Sequence, residues 1–185
     1  AASTPSTTRI ASRLTDASTS GAGLCVVIGT ARVSPLLESR VMNMLCAPVG
    51  PLQANCYLVW DDDRSACAID PGGEPERLAR LVEDEGLKLE AILVTHGHFD
   101  HVDGVRGLAE ATGAKVYCSA LVAPVLRGEE GCSATGYPVA AVAPESVVRV
   151  EDGAEIKVGT LTVSVIATPG HTPGDVTYDI EGHLF

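Results

Sequence analysis

Short blocks of apolar residues, many of them alternating with polar ones, follow one another along the chain from about residue 41 onwards. Turn-forming residues separate the blocks, and valine, isoleucine and other strand-forming residues are frequent within them, which is typical of β-strands. Glu181-Gly182 and Gly159-Thr160 are typical of tight connections between such strands. The pattern predicts strands at residues 55–60, 65–69, 89–94, 115–118, 147–150, 155–158, 161–166 and 175–180.

Other segments carry apolar residues at helical spacing. Leu78, Leu81 and Val82 form an i, i+3, i+4 stripe behind Pro75, a proline suited to a first helical turn, and Gly86 is placed to end that helix. A second helix is predicted at residues 102–112 and a short one at 121–126, followed by a glycine-rich loop that is a candidate border of a substrate site. Strands and helices interleaved in this order predict one α/β domain with a mixed sheet.

Residues 1–40 differ from the rest because they are rich in serine, threonine and alanine and contain four arginines but only two acids. This composition is typical of an organellar transit peptide, and an unstructured leader is the alternative. We therefore expect a leader at 1–40 and a folded domain at 41–185. The corresponding location is the cytoplasm, or an organelle if the leader is a transit peptide.

The composition narrows the classes of partner. The 185 residues are 45% hydrophobic, enough for one sizeable core, and no apolar run reaches the ~20 residues that span a bilayer. The net charge of −11 argues against nucleic acid, which normally binds a basic surface. The six cysteines form no Cys-x-x-Cys pair, so we expect free thiols rather than a zinc cluster or disulfide framework.

The densest cluster of candidate ligands is Thr95-His96-Gly97-His98-Phe99-Asp100-His101, directly after the apolar strand at 89–94. Residues two apart in an extended segment point the same way, so His96 and His98 can reach one ion together. The turn that follows would direct Asp100 and His101 towards a second position. A further histidine, His171, lies in the Pro/Gly-bounded turn at 168–174 after another strand.

Imidazole and carboxylate ligands without thiolate suit zinc and also iron or manganese. The motif at 95–101, the turn at 169–174 and Asp70-Pro71-Gly72-Gly73 resemble the metallo-β-lactamase superfamily, nearest to its glyoxalase II-like hydrolases, over residues 51–185. The resemblance implies a four-layer αβ/βα sandwich. It also implies two metal ions, with zinc as the first choice, held by the set His96, His98, His171, Asp100 and His101.

By the same resemblance, His96, His98 and His171 would hold the first ion, and Asp100 and His101 would begin the second site. Asp100 would in addition orient the attacking water. Asp70 either supports the ligands from behind or simply forms the turn, and His183 is interpreted as the end of a strand. Family members typically continue beyond the position of Phe185 into a Gly-Asp turn whose aspartate bridges the metals, so we expect an N-terminal portion of the domain.

The function implied is hydrolysis of a thioester or another small ester-like molecule by a metal-activated water. Gly97 stands where glyoxalase II sequences typically carry a histidine, so the resemblance leaves the substrate open. Two alternatives stay open: a persulfide dioxygenase with one iron, and a truncated, non-catalytic metal-binding fragment. The expected partner is a small molecule, without nucleic acid or membrane, and the oligomeric state is open.

Overall fold

The computed structural model describes residues 42–132 and 135–185, so the predicted leader at 1–40 lies outside the described residues. This part of the chain folds into two β-sheets and a layer of helices. The predicted strands are confirmed, with bounds that agree or differ by one residue. The five cysteines of the described ranges are free and buried, as expected.

The first sheet has six strands in sequence order, and its mixed direction matches the prediction. The first three strands pair antiparallel, and the next three add in parallel. Because parallel strands end at the same edge, the loops after the third, fourth and fifth strands meet there. The strands are β1 (Asn43–Val49), β2 (Ala54–Trp60), β3 (Ser65–Ile69), β4 (Lys88–Leu93), β5 (Lys115–Ser119) and β6 (Val147–Val150).

The second sheet is antiparallel throughout, in the order β10-β9-β8-β7. Alternate side chains of its longer strands are buried, and they pack on one face of the first sheet in a shared apolar cluster that includes Val59, Leu93, Val163 and Tyr178. This cluster is the interior of the sandwich. The strands are β7 (Glu155–Val158), β8 (Leu161–Ala167), β9 (Val176–Ile180) and β10 (His183–Leu184).

The helices supply buried residues to a second apolar cluster, on the other face of the first sheet. Leu78 and Val82 of the first helix and Leu108 of the third lie in it. The described residues thus build helix, sheet and sheet, which are three of the four layers of the predicted αβ/βα sandwich. The helices are α1 (Pro75–Asp84), α2 (Phe99–Val102), α3 (Val105–Thr112) and α4 (Ala123–Leu126), with a 3-10 turn at Pro144–Ser146. None of these helices is both long and apolar enough to cross a membrane.

The helix predicted at 102–112 is α3, which begins only at Val105 because the chain breaks near Gly104 after the short α2. The backbone N–H of Gly104 donates to the Pro71 carbonyl at 3.0 Å. A Cβ at Gly104 would lie 2.6 Å from the same oxygen, so only glycine permits this approach. The break therefore brings the 70–73 turn against the histidine loop.

The acidic turn at 61–63 is only partly solvated. Asp62 and Asp63 are exposed, whereas Asp61 is buried and accepts hydrogen bonds from the backbone N–H groups of Ser65 at 2.9 Å and Thr160 at 2.7 Å. Burial alone would raise the pKa of Asp61, but the hydrogen bonds from Thr160 and Ser65 outweigh it and lower that pKa. Asp61 therefore joins the β2–β3 turn of one sheet to the β7–β8 turn of the other.

We expect Asp61→Asn to destabilise the protein by about 2–4 kcal/mol, because the amide nitrogen would face backbone donors inside a buried site. Urea unfolding of the metal-free protein measures this loss. The matched control is Asp62→Asn, one residue away and exposed, which should change stability by no more than about 0.5 kcal/mol. Equal effects of the two substitutions would contradict the bridging role of Asp61.

Candidate metal centre

Two loops, one from each sheet, bring together three of the predicted histidines. His96 and His98 follow β4, and His98 is the extended residue that precedes the first turn of α2. His171 lies 73 residues later, in the turn between β8 and β9. The backbone N–H of Val176 donates to the Thr95 carbonyl at 3.0 Å, which docks the second loop beside the first.

The ligand nitrogens of these histidines converge. His98 Nδ1 lies 3.1 Å from His96 Nε2 and 3.0 Å from His171 Nε2. In a tetrahedral zinc site with Zn–N distances of about 2.0–2.1 Å, neighbouring ligand nitrogens are roughly 3.3 Å apart. The three imidazoles are thus spaced as ligands of one small divalent ion would be, and the donor set fits the predicted group.

The protonation of these side chains also suits a metal. Burial and the nearby His101 lower the pKa of His96 to about 4. Burial and the adjacent His171 lower the pKa of His98 as well. A neutral imidazole has a free lone pair, whereas a protonated one has none, so both residues are ready to bind a cation at neutral pH.

Asp100 and His101 lie next to this cluster, in the first turn of α2. His101 Nδ1 donates to Asp70 Oδ2 at 2.8 Å, since the carboxylate can only accept. When the ring is neutral, that hydrogen bond leaves the lone pair on Nε2, which lies 3.6 Å from Asp100 Oδ2. The predicted second set is therefore present as a His101–Asp100 pair beside His96.

Asp70 holds the histidine loop through several hydrogen bonds. Its carboxylate is buried and accepts from the backbone N–H of Thr95 at 2.8 Å, from the Thr95 hydroxyl at 2.5 Å and from His101. Its atoms lie close enough to His96 and His101 to form a second candidate ligand group. Because both oxygens already accept hydrogen bonds, we interpret Asp70 as a support that orients His101 and Thr95.

The hydrogen bond to Asp70 also sets the charge of His101. Burial alone would lower the pKa of His101, but this hydrogen bond outweighs it and raises that pKa. The Thr95 hydroxyl, which donates to Asp70, also lies 2.9 Å from His96 Nδ1. Asp70 itself has a positive φ of 50°, a backbone conformation in which aspartate is more frequent than most residues. The Asp70 carboxylate thus positions His101 directly and His96 through the Thr95 hydroxyl.

Two residues near the site are not predicted from the sequence: Asp175, which holds the His171 turn, and Tyr178, which links the two sheets. The Asp175 carboxylate accepts from the backbone N–H of Thr172 at 2.8 Å and from the Thr172 hydroxyl. The buried Tyr178 hydroxyl donates to the carbonyls of Val94, at 3.0 Å, and Tyr117, at 3.2 Å, across the sandwich. The Thr-x-x-Asp spacing is a turn signal that could have identified Asp175, whereas the distant partners of Tyr178 leave no local signal.

The depressed pKa of His96 predicts how the metal-free protein responds to acid. Its value is about 4 in the fold against 6.5 for the free side chain, so folding disfavours the proton. Stability present above pH 6.5 is therefore lost as the pH falls towards 4, by up to about 3 kcal/mol from this residue. Urea unfolding of chelator-treated protein at several pH values measures how the free energy of unfolding changes with pH. His96→Asn should remove the part of this pH dependence that His96 contributes. Identical slopes in both proteins would contradict the shift.

A family model described as the metallo-beta-lactamase superfamily matches residues 49–183, which is most of the chain. The chain belongs to this superfamily. The match includes both histidine loops and the Asp70 turn, so it covers all the residues that the site brings together. The predicted resemblance and the sandwich fold are thereby confirmed.

The curated relatives include hydroxyacylglutathione hydrolases. The chain is 35% identical to hydroxyacylglutathione hydrolase GloC of Haemophilus influenzae over 140 residues, which are 74% of this chain and 66% of that protein. It is 34% identical to the probable metallo-hydrolase YqgX of Bacillus subtilis, over 72% of this chain and 64% of the relative. The chain thus spans about two thirds of the length of these two relatives. It is also 38% identical to a hydroxyacylglutathione hydrolase of Pseudomonas entomophila, of which it spans 40%.

Solved structures agree on the fold. The BLEG-1 B3 metallo-beta-lactamase superposes with a TM-score of 0.67 at 33% identity, over 75% of this chain and 67% of that protein. The MEM-A1 subclass B3 enzyme from a soil metagenome superposes with a TM-score of 0.62 at 29% identity, over 75% of this chain and 54% of that protein. These similarities concern the fold and do not identify the substrate.

Proposed function

We propose that this chain carries the metal-binding part of a hydrolase that cleaves small thioesters. The observation that carries the proposal is the convergence of His96, His98 and His171 from two loops distant in sequence. His98 Nδ1 lies 3.1 Å from His96 Nε2 and 3.0 Å from His171 Nε2, and the three ligand atoms lie within 4.8 Å of one another. These three residues would hold a divalent ion, zinc being the first choice for an all-imidazole set. The hydroxyacylglutathione hydrolases among the relatives support the choice of a thioester.

When bound, the ion would polarise the substrate carbonyl and make water a better nucleophile near neutral pH. In the reaction, the water oxygen forms a bond to the carbonyl carbon, the C–S bond breaks, and the thiol leaves with a proton from that water. The products are a carboxylic acid and a thiol, so no oxidant or reductant is needed. The chain has only to place water, carbonyl and proton acceptor together.

Asp100 is the residue that we assign to orient the attacking water and accept its proton. It lies one helical position from His101, its side chain is largely shielded, and its Oδ2 is 3.6 Å from His101 Nε2. A carboxylate at hydrogen-bonding distance from a water is a suitable general base. Asp70 would keep His101 in the tautomer whose unprotonated Nε2 faces Asp100. A second ion held by Asp100 and His101 belongs to the same proposal.

The test is a substrate panel with the zinc-loaded protein: a hydroxyacylglutathione, an acyl thioester of a smaller thiol, the matching oxygen ester, and a β-lactam. We expect kcat/KM to be highest for the two thioesters and to vanish after treatment with a chelator. Asp100→Asn should lower kcat at least about 100-fold while the protein still binds zinc. Faster turnover of the β-lactam, or activity that persists without metal, would overturn the proposal.

A further inference from the structure

Two large apolar side chains are exposed next to the histidine loops. Leu121, just after β5, is 61% exposed, and Tyr137 is 48% exposed. A Cβ built on Gly174 would lie 3.0 Å from the Cβ of Leu121, so Leu121 contacts the turn that carries His171. It therefore borders the metal centre on the side of the second loop.

Tyr137 borders the other loop. Its ring centroid lies 5.5 Å from that of Phe99, the residue that directly follows His98. Phe99 in turn packs against the buried apolar cluster beneath α2, so Tyr137 rests on a fixed surface. The Tyr137 carbonyl also accepts a hydrogen bond from the buried Cys132 backbone at 2.8 Å. An apolar surface thus stands beside each of the loops whose histidine nitrogens meet.

The charges along these loops favour an uncharged substrate group. Residues 95–104, 119–143 and 168–175 contain a single lysine or arginine, Arg127. Its head group is paired with Glu129 at 3.0 Å. A group with free carboxylates would find no unpaired lysine or arginine on the described residues of these segments, whereas a hydrocarbon chain would gain from covering Leu121 and Tyr137.

We propose that Leu121 and Tyr137 bind the acyl group of the substrate and select thioesters with an apolar, unbranched acyl chain of several carbons. The inference rests on the proposed hydrolase function and specifies its substrate. His171 is exposed, and Leu121 contacts its turn while Tyr137 contacts Phe99 next to His98, so an acyl chain can cover the two residues while its carbonyl lies at the histidine cluster. Neither residue takes part in the bond changes.

The experiment measures kcat/KM for thioesters of one small thiol, N-acetylcysteamine, with acetyl, butyryl, hexanoyl and octanoyl groups. In the wild type we expect kcat/KM to rise about two- to fourfold per added methylene over the first few, the range that burial of a methylene supports. Leu121→Ser and Tyr137→Ser should each flatten this rise. The control is Val148→Ser, an exposed valine on β6, which should keep the wild-type slope.

Binding of the corresponding S-alkyl thioethers, which cannot be hydrolysed, provides a second readout by calorimetry. If no thioester is hydrolysed, the proposed function fails, and the thioether series still tests the apolar contact. Tighter binding with chain length in the wild type, lost in both serine variants, supports the inference. A wild type that prefers acetyl or a charged acyl group, or serine variants with the wild-type slope, would overturn it.

Discussion

His98→Ala should abolish both metal binding and hydrolysis. His98 Nδ1 is the nitrogen that lies near both of the others, 3.1 Å from His96 and 3.0 Å from His171. Without the His98 imidazole, only His96 of the first loop and His171 of the second remain of the three converging ligands. Because even loss of a supporting partner behind a metal ligand costs about 10–100-fold in affinity, loss of this ligand should weaken zinc binding by at least about 100-fold.

Zinc per chain after dialysis, a competition assay with a chromophoric chelator, and thioester hydrolysis together measure the effect. The matched control is His183→Ala, a histidine on β10 that belongs to neither of the ligand groups found among the described residues. It should retain wild-type zinc content. If His98→Ala kept its zinc and its turnover, or if His183→Ala lost as much, the assignment of the metal centre would be wrong.

The local parts of this site can be predicted from sequence because their signals are local. The apolar strand before His96 and the His-x-His-x-Asp-His spacing identify a loop with ligands, and a Pro/Gly turn identifies the second loop at His171. The two loops belong to different sheets, and the hydrogen bond from Val176 to Thr95 brings them together. What the spacing cannot supply is which nitrogen each ring presents, and only the packing shows that His98 uses Nδ1 while its neighbours use Nε2.

The errors come from contacts between distant segments. The sequence pattern does not predict β1, since Asn43–Val49 lacks clean alternation and includes Pro48, yet an edge strand tolerates a proline. The helix break near Gly104 depends on the Pro71 carbonyl, more than thirty residues away in sequence. The burial of Asp61 has no local sequence signal, because its partner Thr160 lies 99 residues later.

These distant contacts share a physical feature: each joins a loop of one element to the backbone of another through a small or charged residue. Tyr178 makes a comparable link between the sheets, where burial raises its pKa and its hydroxyl donates to two carbonyls. Periodicity reports which face of an element is buried, but not which loop will lie against it. To predict the metal centre, one must know both which faces are buried and which loops pack together.

Gly72→Ala should disrupt the same centre without changing any of its candidate ligands. A Cβ on Gly72 would overlap the backbone oxygen of Asp100 and lie 2.9 Å from the backbone nitrogen of His101. A clash with backbone cannot be relieved by a side-chain rotation, so the 70–73 turn and the α2 turn must separate. Because Asp70 holds His101 and Thr95 from that turn, their hydrogen bonds should be lost as well. We expect a destabilisation of about 3 kcal/mol or more.

The matched control is Gly86→Ala, at the end of α1. Gly86 has a positive φ of 62°, and a Cβ added there would have no other atom within 4 Å, so alanine meets strain but no clash and should cost about 1–2 kcal/mol. Urea unfolding of the metal-free proteins compares the two, and zinc competition should show weaker binding in Gly72→Ala alone. Equal stability losses and equal zinc affinities in both variants would show that the contact between the Asp70 turn and α2 does not position the site.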